Sequence, residues 1–159
     1  MDDKIRLLKQ VSIFEGLPEK EIENLAQKIG FVQFAIGKTI CEIDEPGDQM
    51  YIIKSGEVKV VVYSPSGREI VLEDLSRGDY FGEMALLTEE PRSATVIAIL
   101  DTALYTLHKK DFNELIKKYP LVAVNLSRII SKRLKKTDVV RRRQSLAQRT
   151  DRHFDPGQS

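Results

Sequence analysis

The chain has 159 residues, a formal net charge of +1, and a composition of 42% apolar and 31% charged residues. These values suit one globular domain and exclude a low-complexity or fibrous chain. No stretch approaches the roughly 18 consecutive apolar residues of a membrane span, and the charged start MDDKIRLLKQ does not resemble a secretory signal. The single cysteine, Cys41, allows no internal disulfide, so we expect the reducing cytoplasm.

Residues 1–29 predict a helical segment. Ile5, Leu8 and Val11 recur at the spacing of one helix face. A second helix is predicted in LPEKEIENLAQKI, because Pro18 suits the first turn of a helix and acidic residues follow at its positive end. Gly30 is the expected stop of this helix.

Residues 30–108 follow a period of two and predict a β core. The candidate strands are Phe31–Ala35, Thr39–Glu42, Gln49–Lys54, Glu57–Val62, Glu69–Asp74, Ser93–Ile99 and Ala103–Leu107. Each turn between strands carries a glycine, which we interpret as a residue of positive φ. These glycines include Gly37, Gly47, Gly56, Gly67 and Gly78. The predicted fold is mainly β with flanking helices, an antiparallel β jelly-roll barrel.

Residues 109–150 return to a helical period. KKDFNELIKKYP predicts a short helix that ends at Pro120, and the stretch from Leu121 to about Gln148 predicts a long amphipathic helix. Residues 151–159, DRHFDPGQS, are expected to be a disordered tail. The apolar row of the long helix consists of Leu126, Ile130 and Leu134.

The net charge of +1 hides an asymmetry along the chain. Between Arg128 and Arg152, ten basic residues accompany two acidic ones, a net of +8, so the remainder carries −7. A basic arm on an acidic body indicates either the solvated face of a helix or a surface for an acidic partner.

The segment FGEMALLTEEPRSATV, residues 81–96, interrupts the strand pattern of the β core with a helical one. Free N–H groups at the start of a helix bind anions, which predicts an anion site along Gly82 to Ala85, Met84 included. Because Ala85 is small, an anion such as phosphate can approach the backbone there.

Three side chains complete this predicted site. Arg92 offers a bidentate guanidinium fork to the same anion, and Ser93 offers a hydroxyl. Glu83 repels an anion, so its carboxylate suits a neutral group beside the phosphate, such as a ribose hydroxyl. A phosphate and a ribose together indicate a nucleotide. Alternatively, Glu83 and Arg92 form a surface salt bridge worth about 0–1 kcal/mol.

Phe81–Leu87 and Pro91–Val96 closely resemble the phosphate-binding cassette of the cyclic-nucleotide-binding domains, a family that includes bacterial catabolite activators and protein kinase A regulatory subunits. The similarity extends through IFEGLPEKEIENLA and GDQMYIIKSGEVKV, and it covers roughly Val11 to Thr137. The resemblance implies that Arg92 holds the cyclic phosphate and Glu83 the ribose 2′-hydroxyl. It also implies backbone or hydroxyl contacts from Gly82, Ala85 and Ser93.

The resemblance places the base between the wall of the roll and the helix that follows. Val71 and Glu73 are then candidate wall residues, and Thr137, within RLKKTD, is a candidate base contact. The alternative for Thr137 is a solvated or interfacial position on the helix. The resemblance to the bacterial members implies cyclic AMP as the ligand, because a serine at the position of Ser93 fits it there. A hydroxyl at this position can also serve guanine, so cyclic GMP is the alternative ligand.

We expect the ligand to act through the long helix, which would close as a lid over the base. Its apolar row would face the roll or a second copy of the chain in a homodimer, and Arg141–Arg143 would face an acidic protein or a membrane surface. In bacterial activators this helix leads into a winged helix-turn-helix of about sixty or more residues. Only about twenty residues follow Val140, so we expect no sequence-specific DNA binding.

Catalysis is not expected. The two histidines are His108, predicted to cap a helix or lie at the surface, and His153, in the expected tail. A metal site would therefore lack histidine ligands, and a Ser/His/Asp site would lack its general base. Cys41 is interpreted as a small buried apolar residue rather than a nucleophile. The alternative function is a protein-interaction module of the same fold that binds no nucleotide.

Overall fold

The computed structural model describes residues 2–133 as two antiparallel β-sheets with helices packed against one of them. The helices are α1 (Asp2–Gln10), a 3-10 turn (Ser12–Phe14), α2 (Glu19–Lys28), α3 (Met84–Leu87), α4 (Lys109–Lys118) and α5, whose described part is 121–133. The strands are β1 (Gly30–Phe34), β2 (Thr39–Cys41), β3 (Gln49–Ser55), β4 (Glu57–Tyr63), β5 (Glu69–Ser76), β6 (Tyr80–Phe81), β7 (Thr95–Ala98) and β8 (Thr102–His108).

The eight strands form a jelly roll. The first sheet has the order β1-β8-β3-β6 and the second the order β2-β7-β4-β5, with antiparallel pairing throughout. The chain passes from one sheet to the other after most strands, which is why sequence neighbours rarely pair. This arrangement confirms the predicted mainly β jelly-roll fold with flanking helices.

The central strands of the first sheet, β8 and β3, are buried on both faces, whereas β1 at its edge is partly exposed. Successive side chains of a strand point to opposite sides of the sheet. In β3, Met50 and Ile52 face the helices, whereas Tyr51 and Ile53 face the second sheet. The helix-side cluster includes Leu7, Ile13, Leu25, Phe112, Leu126, Tyr105 and Leu107. The inter-sheet cluster includes Cys41, Val58, Leu75, Phe81, Val96 and Leu104.

The N-terminal segment is helical, as predicted, but it is interrupted. Leu8 and Val11 are buried as expected, and Pro18 is the N-cap of α2. The helix stops where predicted, since α2 ends at Lys28 with Ile29 as its C-cap, but Gly30 is not a left-handed cap: it has no positive φ and pairs with Thr106 in β1. A Cβ at Gly30 would lie 2.5 Å from Oγ1 of Thr106, so the glycine allows a close strand contact.

Most predicted strands agree with the structure within two residues. β6 was not predicted, because two residues become a strand only by pairing with β3, where Tyr51 lies opposite Phe81 and Ile52 opposite Tyr80. Positive φ is confirmed at four of the five turn glycines, but Gly47 lies outside the left-handed region.

The described part of α5 is anchored to the N-terminal segment. Leu126 is fully buried, and the buried Asn125 amide donates from Nδ2 to the carbonyl oxygens of Ile13 at 3.1 Å and Glu15 at 3.0 Å. No helix within residues 2–133 is both long and apolar enough to cross a bilayer. The predictions for Leu134, Thr137, Arg141–Arg143, His153 and the tail lie outside the described residues.

Candidate functional site

A pocket opens between the second sheet, residues 81–94 and α5. Its floor and wall come from β2, β4, β5 and β7, and its mouth from the loop before β7. The predicted residues that line it are Glu73, Gly82, Glu83, Met84, Ala85, Arg92 and Ser93. The structure therefore brings together most of the residues that the sequence singled out.

Arg92 is held by carbonyl groups from two separate segments. Its Nη1 donates to the carbonyl oxygen of Gly82 at 3.2 Å, and its Nη2 donates to that of Gln49 at 2.9 Å. Its backbone is fixed as well, since its N–H donates to Glu45 O and its carbonyl oxygen accepts from Asp44 N–H, both at 2.8 Å. No carboxylate within residues 2–133 forms an ion pair with this half-buried guanidinium.

Two glycines make room for the Arg92 side chain. A Cβ at Gly82 would lie 2.5 Å from Nη1, and a Cβ at Gly47 would overlap Cζ and Nε and lie 2.7 Å from Nη2. Gly82 also has a φ of +78°, which a side chain would strain. Gly47 was interpreted as a turn residue of positive φ, and that is wrong: its lack of a side chain admits the guanidinium.

Glu83 is buried, with 5% of its surface exposed, and Arg133 of α5 neutralises its charge. Nη1 of Arg133 donates to Oε1 of Glu83 at 2.7 Å, and the guanidinium lies 4.8 Å from the centroid of the Tyr80 ring. A buried carboxylate without a partner would be costly, so this contact fixes both side chains. The alternative of a Glu83 to Arg92 salt bridge is wrong, because Glu83 forms its ion pair with Arg133 instead.

The predicted helix at the start of the cassette is a single turn, α3, with Glu83 as its N-cap. The N–H of Ala85 donates to the carbonyl oxygen of Gly82 at 3.2 Å, so it is not the free donor that the sequence predicted. Ala85 is buried beside the pocket, whereas Ser93 is exposed at its mouth.

The wall formed by β5 differs from the prediction. Val60 of β4 pairs with Glu73 of β5, but the next residue, Val61, pairs with Val71. Leu72 is therefore an extra residue in β5, which makes a β-bulge there. At this bulge both Leu72 and Glu73 line the pocket, while Val71 does not line it and is 47% exposed. A period-two pattern does not reveal a bulge, so the sequence pointed to Val71 and missed Leu72.

Two residues considered for chemistry have structural surroundings. Cys41 is buried in the pocket floor, which confirms its interpretation as a small buried residue. Burial raises the pKa of its thiol to about 11. His108 caps α4, as predicted: its Nδ1 accepts from Lys110 N–H at 3.1 Å, and its Nε2 lies 2.9 Å from Asp48 Oδ2. Residues 2–133 contain no cluster of three potential metal ligands.

Comparisons with known proteins agree with this geometry. The Cyclic AMP receptor protein of Thermus thermophilus is 34% identical over 132 residues, which cover 83% of this chain and 61% of that protein. The crystal structure of Thermus thermophilus catabolite activator protein matches with a TM-score of 0.75 and 34% identity, over 84% of this chain and 63% of that one. The chain thus spans about three fifths of the length of these relatives.

A eukaryotic structure gives a similar match. The regulatory domain of Toxoplasma gondii PKA, crystallised with cAMP, has a TM-score of 0.74 and 32% identity, over 82% of this chain and 49% of that one. Residues 31–119 match the family described as the cyclic nucleotide-binding domain, and this range contains the whole pocket segment 81–94. The chain therefore belongs to the cyclic nucleotide-binding domain family.

Proposed function

We propose that this protein is a non-catalytic, cytoplasmic sensor that binds a cyclic nucleotide, with cyclic AMP preferred to cyclic GMP. The observation that carries the proposal is the Arg92 guanidinium, held by backbone carbonyls in the pocket that Glu83 also lines. A fixed cation and a buried carboxylate in one pocket suit a ligand with an anionic group next to hydroxyl groups.

Arg92 would hold the cyclic phosphate. A guanidinium has five N–H donors, and among the described residues two of them bind the carbonyl oxygens of Gly82 and Gln49. The other donors can bind phosphate oxygens as charge-assisted hydrogen bonds, which are stronger than neutral ones. The hydroxyl of Ser93, at the mouth of the same pocket, would be a further donor.

Glu83 would accept a hydrogen bond from the ribose 2′-hydroxyl. Its carboxylate is an acceptor with two oxygens, and the described partner, Arg133, binds Oε1. Gly82 and Met84 would contribute backbone contacts beside it. A 5′-nucleotide lacks the closed ribose–phosphate ring, so it would not present both groups in this spacing.

The base would lie against Val60 and Leu72, the apolar part of the wall, near Glu73. Glu73 can accept from the 6-amino group of adenine, and Thr137 would approach from the helix. The names of the bacterial and kinase relatives, which refer to cyclic AMP, support adenine as the preferred base.

The signal would leave through α5. Ile130 and Arg133 of this helix already line the pocket, so the ligand and the helix share a surface. A ligand shifts a helix only if it binds one helix position more tightly than another. We propose that α5 closes over the base as a lid and also serves a homodimer, with Arg141–Arg143 left for an acidic protein or a membrane surface.

Calorimetry with cyclic AMP, cyclic GMP and 5′-AMP tests the proposed ligand. Arg92→Leu should weaken cyclic AMP binding about tenfold to a hundredfold, because a charge-assisted contact is worth about 1.5–3 kcal/mol. Arg68→Leu, at an exposed arginine of the β4–β5 turn, is the matched control and should bind normally. If the wild-type protein binds none of the three, the ligand is wrong and an interaction module remains; equal binding of 5′-AMP would exclude recognition of the cyclic phosphate.

The lid is tested by comparing adjacent basic residues of α5. Arg133→Gln removes the contact to Glu83, so it should alter cyclic AMP affinity, whereas Lys132→Gln, at an exposed neighbour, should not. Truncation after Leu126 should also weaken binding, while neutralising Arg141–Arg143 should leave it nearly unchanged. Full affinity in both the truncated chain and Arg133→Gln would refute the lid.

A further inference from the structure

A buried aromatic ring lies beneath the anion-binding arginine. The guanidinium carbon of Arg92 is 5.8 Å from the centroid of the Tyr51 ring, within the distance of a cation–π contact. Tyr51 belongs to β3, is 7% exposed, and does not line the pocket. Its ring therefore reaches the guanidinium from the core, on the side away from the mouth.

The Tyr51 ring is fixed on two sides. It stacks on Phe81 with centroids 5.1 Å apart and an interplanar angle of 17°. Its hydroxyl accepts a hydrogen bond from Nε2 of Gln49 at 3.1 Å. Gln49 also supplies the carbonyl oxygen that accepts from Nη2 of Arg92, so one residue restrains both the ring and the guanidinium.

The carbonyls alone do not determine where the guanidinium lies. Two acceptors, Gly82 O and Gln49 O, limit its movement at the Nη atoms, but the plane of the group can still tilt. An aromatic face attracts a cation through its quadrupole, and the attraction grows where water is excluded. The ring of Tyr51 supplies that third restraint.

We infer that Tyr51 is a positioning residue for phosphate recognition: it holds the Arg92 guanidinium in place without touching the ligand. This inference rests on the proposed function for its consequence in binding, but the Tyr51 to Arg92 contact itself can be measured separately. It assigns an indirect binding role to a residue that otherwise counts only as part of the inter-sheet core.

The binding test compares Tyr51→Leu with Tyr51→Phe. Leucine removes the ring, so cyclic AMP affinity should fall about fivefold to thirtyfold, whereas phenylalanine keeps the ring and should restore most of it. Tyr105→Leu removes another buried tyrosine, one that lies outside the pocket, and is the control for loss of stability.

The two phosphorothioate diastereomers of cyclic AMP provide a readout that general destabilisation does not change. Sulfur replaces one phosphate oxygen in each, so a fixed guanidinium distinguishes them and a loosely held one distinguishes them less. The affinity ratio should shrink in Tyr51→Leu and stay at the wild-type value in Tyr51→Phe and Tyr105→Leu. An unchanged ratio in folded Tyr51→Leu would overturn the inference while leaving the proposed function intact.

Nuclear magnetic resonance tests the contact even if no cyclic nucleotide binds. A proton above an aromatic face is shielded, so the Arg92 Nε–H resonance, assigned by its loss in Arg92→Lys, should move downfield in Tyr51→Leu. It should stay close to its wild-type position in Tyr51→Phe. If the resonance is the same in all three backgrounds, the ring does not hold the guanidinium and the inference is wrong.

Discussion

Gly47→Ala should separate ligand binding from stability. An added Cβ would overlap Cζ and Nε of Arg92 and lie 2.7 Å from Nη2, whereas an ordinary contact needs about 3.5 Å. Because the obstructed atoms end a flexible side chain, the protein can fold if the guanidinium recedes by about 1 Å. That displacement breaks the 2.9 Å hydrogen bond to Gln49 O and moves the charge away from the proposed position of the phosphate.

The expected loss is large for binding and small for folding. Misplacing the charge forfeits a contact worth about 1.5–3 kcal/mol, so the Kd for cyclic AMP should rise about tenfold to a hundredfold. The backbone at Gly47 is outside the left-handed region, and alanine there gains about 0.4–1 kcal/mol from the unfolded chain. This gain in stability offsets much of the stability lost with the hydrogen bond from Arg92 to Gln49 O, so the melting temperature should change by only a few degrees.

Gly67→Ala is the matched control with the opposite expected result. Gly67 has a φ of +85° and no atom within 4 Å of an added Cβ, so alanine there should cost about 1–2 kcal/mol in stability. It lies outside the pocket, so affinity should not change. Calorimetry and thermal unfolding of both variants complete the test. Wild-type affinity for cyclic AMP in Gly47→Ala would refute the idea that the absent side chain of Gly47 lets Arg92 reach its binding position.

Three further predictions concern stability. Burial raises the pKa of the Cys41 thiol from 9.0 to about 11, so the stability that the protonated thiol contributes is intact below pH 9 and is lost as pH rises to about 11. Between pH 8 and pH 10.5, the free energy of unfolding measured in urea should therefore decline less in Cys41→Ala than in the wild-type protein. Asp44 has a φ of +70°, and Asp44→Val should cost about 1–3 kcal/mol in the free energy of unfolding, whereas no loss would mean that the loop relaxes. Asn125→Ala leaves the carbonyls of Ile13 and Glu15 without their donor and should cost about 1–3 kcal/mol by urea unfolding; unchanged stability would mean that water replaces the amide.

The sequence predicted the features that depend on local patterns. Helix and strand periods identified the order of elements, and the composition of residues 81–96 indicated the site, including Glu83 and Arg92 in one pocket. Such features follow from side-chain spacing and turn chemistry over a few residues. The family resemblance then added the expected ligand.

The features that were missed depend on contacts between distant segments. Gly47 precedes Arg92 by 45 positions, and only the folded chain shows that the guanidinium occupies the space of its absent side chain. Leu72 reaches the wall through a bulge, which requires knowledge of the register. Arg133 belonged to a basic run that the sequence explained by charge alone, and its contact with Glu83 requires α5 to lie against the pocket.

The two hydrophobic clusters on either side of the first sheet have a consequence for cooperativity. They share no side chain, since alternate residues of β3 enter one or the other. We therefore expect the helices to loosen by opening one cluster while the strands keep the other, as separate units of local unfolding. Amide hydrogen exchange should show weaker protection in α5 than in β3 and β8. A helix that transmits a signal could then move by opening the helix-side cluster alone. The inter-sheet cluster, and with it the strands around Arg92, would stay closed to solvent.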